Sequence, residues 1–318
     1  VEPGVRPPGI LSFAMKNAPL SWQVRLVLLA AIWGSSFLFI KVGLRAFVPL
    51  HVALGRMLFG TAVLMAFLAL RREPLPRGRR VWGHLVFAGL FGNALPFFLF
   101  AWGETKVSSV LAGIWNGTTP LLTMIVAFSM LPDERPDRDK VVGLTIGFTG
   151  VLLIVGPWQG VGGGALLGNL ACLAAAGCYG VAFPYMRKYL AGREESPLAL
   201  AGGQLLCGTI QLAAVVAFFT GAPGPYPLRP VVSVVVLGVV GTGIAYVINY
   251  GIIRDAGATA ASTVTYLLPI FATVVGMVFL GEQLTWNQPA GAAVVLAGVA
   301  ISQGRLPLFR QREATTVP

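Results

Sequence analysis

Residues 23–46 read QVRLVLLAAIWGSSFLFIKVGLRA, and residues 164–186 read GALLGNLACLAAAGCYGVAFPYM. Each is long and apolar enough to cross a bilayer, because about 20 such residues span the hydrocarbon core as a helix. The two also share a pattern. Trp33-Gly34-x-x-Phe37-x-x-x-Lys41 in the first matches Tyr179-Gly180-x-x-Phe183-x-x-x-Arg187 in the second, 146 residues further on. A span that recurs with its aromatic, small and basic positions in register points to a duplicated membrane unit.

Eight more spans surround these two. The ten lie near 23–46, 50–70, 81–103, 107–131, 139–156, 164–186, 197–220, 231–253, 258–280 and 287–304. Their apolar runs are continuous rather than alternating, which excludes a strand barrel. Composition agrees: of 318 residues, 56% are hydrophobic and 11% charged, with a mean hydropathy of +0.77. Soluble domains carry about 25% charged residues, so a water-soluble globule, a disordered chain and a disulfide-stapled module are all excluded. Forty glycines suit helices that pack closely in lipid. Cys172, Cys178 and Cys207 all lie in apolar runs and imply neither a disulfide framework nor a metal site. Residues 1–22 show no signal-peptide apolar core.

The repeat extends through all ten spans. Gly55, Leu58, Gly60, Thr61 and Leu64 of the second span fall on Gly203, Leu206, Gly208, Thr209 and Leu212 of the seventh. Gly89 and Gly92 fall on Gly238 and Gly241, Pro120 on Pro269, Asp133 on Glu282, and Gly143 and Gly150 on Gly291 and Gly298. Each half holds five spans, an odd number, so the second half enters the membrane from the other side. The expected fold is an all-α polytopic membrane protein of ten transmembrane helices arranged as two inverted five-helix repeats. The expected divisions are 1–22 (amino-terminal segment), 23–156 (first repeat), 157–304 (second repeat) and 305–318 (tail). Inverted repeats are the architecture of alternating-access carriers, with substrate near the midplane. A transporter needs this arrangement; a channel, a membrane enzyme or a scaffold does not.

Charge placement orients the chain. Of 23 Lys and Arg, only Lys41, Arg45, Lys106 and Arg229 fall on the side opposite the amino terminus, and Arg56 lies within the second span. The positive-inside rule then puts both termini in the cytoplasm. The net charge of +11 is thereby read as a topology signal and an anionic-lipid contact, not as a nucleic-acid surface.

At these residues the chain resembles the drug/metabolite transporter superfamily, in particular its ten-helix EamA-type carriers. The resemblance rests on Trp33-Gly34-Ser35-Ser36-Phe37 with Lys41, on Arg56, on the Pro120 and Pro269 helices, and on Phe279-Leu280-Gly281-Glu282. It covers Trp22 to Gly304, and within the family the chain is similar to bacterial amino-acid and metabolite exporters of the inner membrane. It implies a central cavity formed by helices 1–4 and 6–9, with helices 5 and 10 at the periphery. The repeat itself makes a monomer the expected transport unit, because both halves lie in one chain.

Polar groups inside hydrocarbon are costly unless they face a partner or a wet cavity. By that criterion the candidate substrate-binding residues are Asn93, Asn116, Tyr246 and Tyr266, supported by Trp33, Trp115, Tyr179 and Asn249. Interhelical hydrogen bonding is the competing use of such residues. Lys41 and Arg56 are candidate gate residues or anchors for a substrate carboxylate, with lipid or interhelical pairing as the alternative. Pro96, Pro120, Pro184 and Pro269 are candidate kinks.

Several matches carry no chemistry. Gly160–Ala165 fits a dinucleotide fingerprint on paper, but no strand precedes it. Asn116-Gly117-Thr118 is a glycosylation sequon at membrane depth, and His51 and His84 are far apart. No catalytic, metal or cofactor constellation is present. All twelve acids lie in loops, tails or helix ends, which disfavours a proton/drug antiporter with a buried carboxylate, although coupling through Glu104, Glu282 or a histidine stays open. The expected function is export of small polar metabolites, amino acids first (aromatic and other neutral ones). A sugar-phosphate, nucleotide-sugar or drug carrier is the alternative within transport, and a sensor or scaffold the alternative outside it.

Overall fold

The computed structural model describes residues 20–156, 163–221 and 227–306. These residues form ten helices: α1 (Trp22–Gly43), α2 (Pro49–Arg71), α3 (Arg79–Gly103), α4 (Ser109–Met130), α5 (Arg138–Val155), α6 (Gly163–Tyr189), α7 (Pro197–Phe219), α8 (Leu228–Gly257), α9 (Val264–Leu280) and α10 (Asn287–Ser302). Each coincides with one expected span. The protein is an all-α, multi-pass membrane protein. Seven helices are long and apolar enough to cross a membrane by themselves. Of the other three, α5 opens on Arg138, Asp139 and Lys140, while α9 and α10 have 17 and 16 residues.

Local chemistry sets the boundaries. Ser21, Ser108 and Asp137 accept hydrogen bonds from the first-turn amides of α1, α4 and α5. Pro49 and Pro197 open α2 and α7, where the missing N–H is no loss. Gly257 (φ 85°, ψ 163°) ends α8, and a single helical turn reaching Ala261 leads through Ser262–Thr263 into α9.

Two helices change their winding. Leu90–Ala94 in α3 and Val239–Ile244 in α8 are π-helical turns, 149 residues apart at their first positions. Pro96 follows the first turn, but Ala245 follows the second, so proline is not the common cause. α4 is interrupted at Gly117–Thr118 and resumes at Thr119, with Pro120 in its first turn. Pro184 and Pro269, by contrast, lie inside helices that continue past them.

The packing repeats itself under exchange of the halves. α1 lies on α9 as α6 lies on α4, α2 on α8 as α7 on α3, and α1 on α8 as α6 on α3. α2 and α7, α4 and α9, and α5 and α10 each pair with their own counterpart. α5 and α10 form a side pair, joined where glycines let backbones touch. A Cβ on Gly150 would stand 2.7 Å from the Gly291 carbonyl oxygen, and one on Gly298 would stand 2.5 Å from the Gly143 carbonyl oxygen.

Contacts at the two ends agree with alternating helix directions. Arg25 at the start of α1 pairs with Asp255 near the end of α8 at 2.6 Å, and Ser196 donates to Glu73 at 2.7 Å. At the opposite end, Asn287 donates to the Leu153 carbonyl at 3.0 Å and His51 meets Thr220 at 3.0 Å.

Candidate functional site

The helices of the two repeats cross where Thr61 of α2 meets Thr209 of α7, hydroxyl to hydroxyl at 2.7 Å. These threonines occupy equivalent positions in the two halves, so the pseudo-twofold axis passes between them. Small residues allow the crossing. A Cβ on Gly60 would stand 2.7 Å from Thr242, and one on Gly208 would stand 3.0 Å from the Gly89 carbonyl oxygen.

On either side of this axis the same hydrogen bond is made with different side chains. Gln204 Nε2 of α7 donates to Asn93 Oδ1 of α3 at 2.5 Å. Arg56 Nε of α2 donates to Thr242 Oγ1 of α8 at 3.0 Å. Gln204 stands 148 residues after Arg56 and Thr242 stands 149 after Asn93, matching the repeat. Asn93 and Thr242 each sit inside a π turn and are fully buried. A π turn leaves helix backbone irregular, and such turns recur at functional sites.

Aromatic rings complete the cluster. The Arg56 guanidinium lies 3.7 Å from the centre of the Phe97 ring. Tyr246, the counterpart of Phe97, accepts from Asn93 Nδ2 at 2.8 Å and keeps its own O–H to donate. Tyr179 of α6 is within electrostatic range of both Arg56 and Tyr246 and is stacked on Phe183. The structure therefore brings Asn93, Tyr246, Tyr179 and Arg56 together.

Other expected residues lie elsewhere. Trp115 donates its indole N–H to Asn169 at 2.8 Å, a buried tie between α4 and α6. Asn116 accepts from Thr119 at 3.3 Å in the broken turn of α4, so the sequon sits within the bundle. Trp33 packs between two apolar clusters, and Asn249 is half-buried on α8. Span counting puts Tyr266 at the depth of Asn93, and the structure corrects this. Tyr266 is the third residue of α9, and its hydroxyl donates to Gln303 beyond the end of α10 at 2.7 Å, so it lies near the helix end, apart from the cluster.

Charged groups close both ends in related ways. Where α1 ends, Lys41 donates to the Glu104 and Val107 carbonyls at 2.6 and 2.8 Å. Glu282, beyond α9, accepts from the Ser109 and Val110 amides and from the Ser109 hydroxyl, each at 2.9 Å, and so caps α4. The Glu104 carboxyl has no exposed surface, and neither oxygen has a hydrogen-bond partner among the described residues. Burial pushes this carboxyl well above the usual range; Lys41 opposes that, Glu282 adds to it and Arg56 opposes it more weakly. At the other end Arg187, the counterpart of Lys41, holds Asp133 and Glu134 on the surface. Hydrogen bonds from Arg187 and then Lys140 keep Glu134 below the usual carboxylate range.

Gln204, Thr242 and Phe97 are not among the residues that sequence reasoning selects. Superposing the repeats exposes them, because they are the counterparts of Arg56, Asn93 and Tyr246. Glu104 groups with the loop acids in sequence, but a loop position inside a bundle is not an exposed one. The stretch Gly160–Gly162 lies outside the described residues.

Comparison with known proteins follows the same two halves. The model of the EamA-like transporter family matches twice, at residues 20–156 and 166–303. An "Uncharacterized transporter" of Archaeoglobus fulgidus is 28% identical, over 88% of this chain and 97% of its own. A protein of Streptantibioticus cattleyicolor named "Probable terminal-alkyne amino-acid exporter" is 29% identical, over 95% and 99%. The "Uncharacterized inner membrane transporter YedA" of Escherichia coli K12 is 28% identical, over 85% and 86%. A crystal structure at 21% identity superposes with a TM-score of 0.65 over 90% of this chain and 98% of that one, a likeness of fold. With both halves matched by the family, the chain belongs to the EamA-like transporters of the drug/metabolite transporter superfamily and is a carrier rather than an enzyme.

Proposed function

We propose that this carrier exports small polar metabolites, amino acids first, by alternating access around the cluster of Arg56, Asn93, Gln204, Tyr246 and Thr242. The observation that carries this reading is the position of that cluster at the crossing of the two repeats, where a rocking motion of one half against the other exposes it to either side. Amides, hydroxyls and one guanidinium match both ends of a zwitterion. Tyr179, Phe97 and Tyr246 offer aromatic walls that tolerate varied side chains. A relative named for amino-acid export supports the same class. Sugar phosphates fit less well: a phosphate dianion calls for more than one inward cation, and Lys41 is engaged at the helix end.

Counterflow of radiolabelled amino acids in proteoliposomes tests the substrate class. Uptake of phosphate esters with none of any amino acid overturns it. Within the cluster, Tyr246→Phe removes one donor and the acceptor for Asn93, and is expected to weaken substrate affinity about fivefold, near 1 kcal/mol. Asn93→Ala is expected to weaken it further and to lower the melting temperature, because buried Gln204 loses its acceptor. Wild-type affinity in both variants removes the cluster from the substrate path.

The proposed orientation has both termini in the cytoplasm of a plasma (inner) membrane, with one chain as the transport unit. A cysteine at exposed Lys106 should react with an impermeant maleimide on intact cells, and one at exposed Arg77 should not. The native cysteines are buried or half-buried and give little background. The opposite labelling inverts the assignment.

A further inference from the structure

The two repeats build the same hydrogen bond on either side of their axis, and only one side carries a formal charge. Between α7 and α3 the bond is made by a neutral amide, Gln204, to Asn93 at 2.5 Å. Between α2 and α8 the same position holds Arg56, which reaches Thr242 through Nε at 3.0 Å. The scaffold therefore does not require a cation at this point. Two other counterpart pairs, Thr61 with Thr209 and Phe97 with Tyr246, are neutral on both sides. The charge on Arg56 is surplus to structure.

It is also expensive. Arg56 is only 9% exposed and forms no ion pair among the described residues. An isolated buried charge is unfavourable unless a counter-ion arrives. Glu104 is the acid in its field, and that carboxyl favours its neutral form. Phe97 holds the guanidinium face at 3.7 Å and Thr242 holds Nε, which leaves the terminal amino groups for a planar, two-oxygen partner.

Resting on the export reading above, we infer that Arg56 anchors the carboxylate of the transported molecule, so that the substrate class is singly charged carboxylates, zwitterions included. One guanidinium neutralises one carboxylate. A dianion at this site leaves an unmatched negative charge beside Asn93, Tyr246 and Gln204. Its amino group, in a zwitterion, faces the hydroxyls and rings of Tyr246 and Tyr179.

The experiment compares L-phenylalanine with L-phenylalaninamide, which lacks the carboxylate, as competitors of labelled amino-acid counterflow in proteoliposomes and as ligands of the purified protein. Wild type is expected to prefer the acid by at least about tenfold, the scale of one charge-assisted bidentate contact. In Arg56→Gln, which makes the two halves alike, acid binding is expected to drop by about tenfold while amide binding stays within about twofold. Arg56→Lys is expected to retain part of the preference. Gln204→Arg adds a second cation at the counterpart position and is expected to raise the affinity for L-glutamate relative to L-phenylalanine. These two variants carry the test if Arg56→Gln does not fold. An unchanged acid-to-amide ratio in Arg56→Gln, or no gain for L-glutamate in Gln204→Arg, overturns the anchor while leaving amino-acid export standing. A wild-type protein that moves no amino acid overturns both.

Discussion

Gly298→Val is expected to drive α10 off α5 and to lower stability by about 3 kcal/mol or more, the upper range for forcing bulk into a packed interior. A Cβ at Gly298 would stand 2.5 Å from both the Gly143 carbonyl oxygen and the Gly147 nitrogen. Both are backbone atoms, and neither can rotate aside as a side chain would. The same geometry holds across the pair, since a Cβ on Gly291 would stand 2.7 Å from the Gly150 carbonyl oxygen. Lipid supplies no hydrophobic drive between helices, so close backbone packing is what joins them. The proposed substrate cluster lies on α2, α3, α7 and α8, away from this pair. The expected result is therefore a much lower melting temperature in detergent with near-normal counterflow from the fraction that remains folded. Heating followed by size-exclusion chromatography reads the first quantity, and wild-type melting would show that α5 and α10 do not touch through these glycines.

Alkaline pH is expected to loosen the Lys41–Glu104–Glu282 end, and Glu104→Gln to abolish that response. Burial raises the Glu104 carboxyl above its unfolded value, so its contribution is fully present below the unfolded pKa and is lost as pH rises towards and through the folded one. A tenfold difference in proton affinity between the folded and unfolded chains corresponds to about 1.4 kcal/mol. The ionised form would sit without exposed surface and without a hydrogen-bond donor to either oxygen among the described residues. Lys41 gives two of its three N–H donors to backbone carbonyls, and Glu282 brings a second negative charge. Melting temperatures measured from about pH 6 to about pH 9 should fall for wild type and stay level for Glu104→Gln, which keeps the shape without the charge. Glu104→Lys, which buries a cation near Lys41 and Arg56, should lower stability by about 3 kcal/mol or more. Parallel profiles for wild type and Glu104→Gln would mean that Glu104 holds its proton no more tightly in the folded chain than in the unfolded one, which overturns the expectation.

The two expectations differ in how far the residues foretold them. Gly143, Gly150, Gly291 and Gly298 stand out in sequence because they recur in both halves of otherwise featureless apolar spans. Glu104 does not stand out. It follows Gly103 in a short connection with Thr105 and Lys106, where a carboxylate usually meets water, and only the packing of Lys41 and Glu282 around that turn encloses it.

By itself the sequence determined the ten spans, their division into two halves of five and the site candidates Asn93, Tyr246, Tyr179 and Arg56. Span length and apolar continuity are properties of consecutive residues, and an odd number of spans per half dictates inversion whatever the packing. Which of those residues meet depends on how the helices pack. The π turns at Leu90–Ala94 and Val239–Ile244 change the helical phase, so the faces of Asn93 and Thr242 cannot be read from a 3.6-residue period. The late start of α9 at Val264 puts Tyr266 near a helix end instead of mid-span. Gln204 gained its meaning only when the halves crossed at Thr61 and Thr209 and set it opposite Arg56, because that relation depends on the symmetry of two helices 148 residues apart and on nothing in the neighbourhood of either.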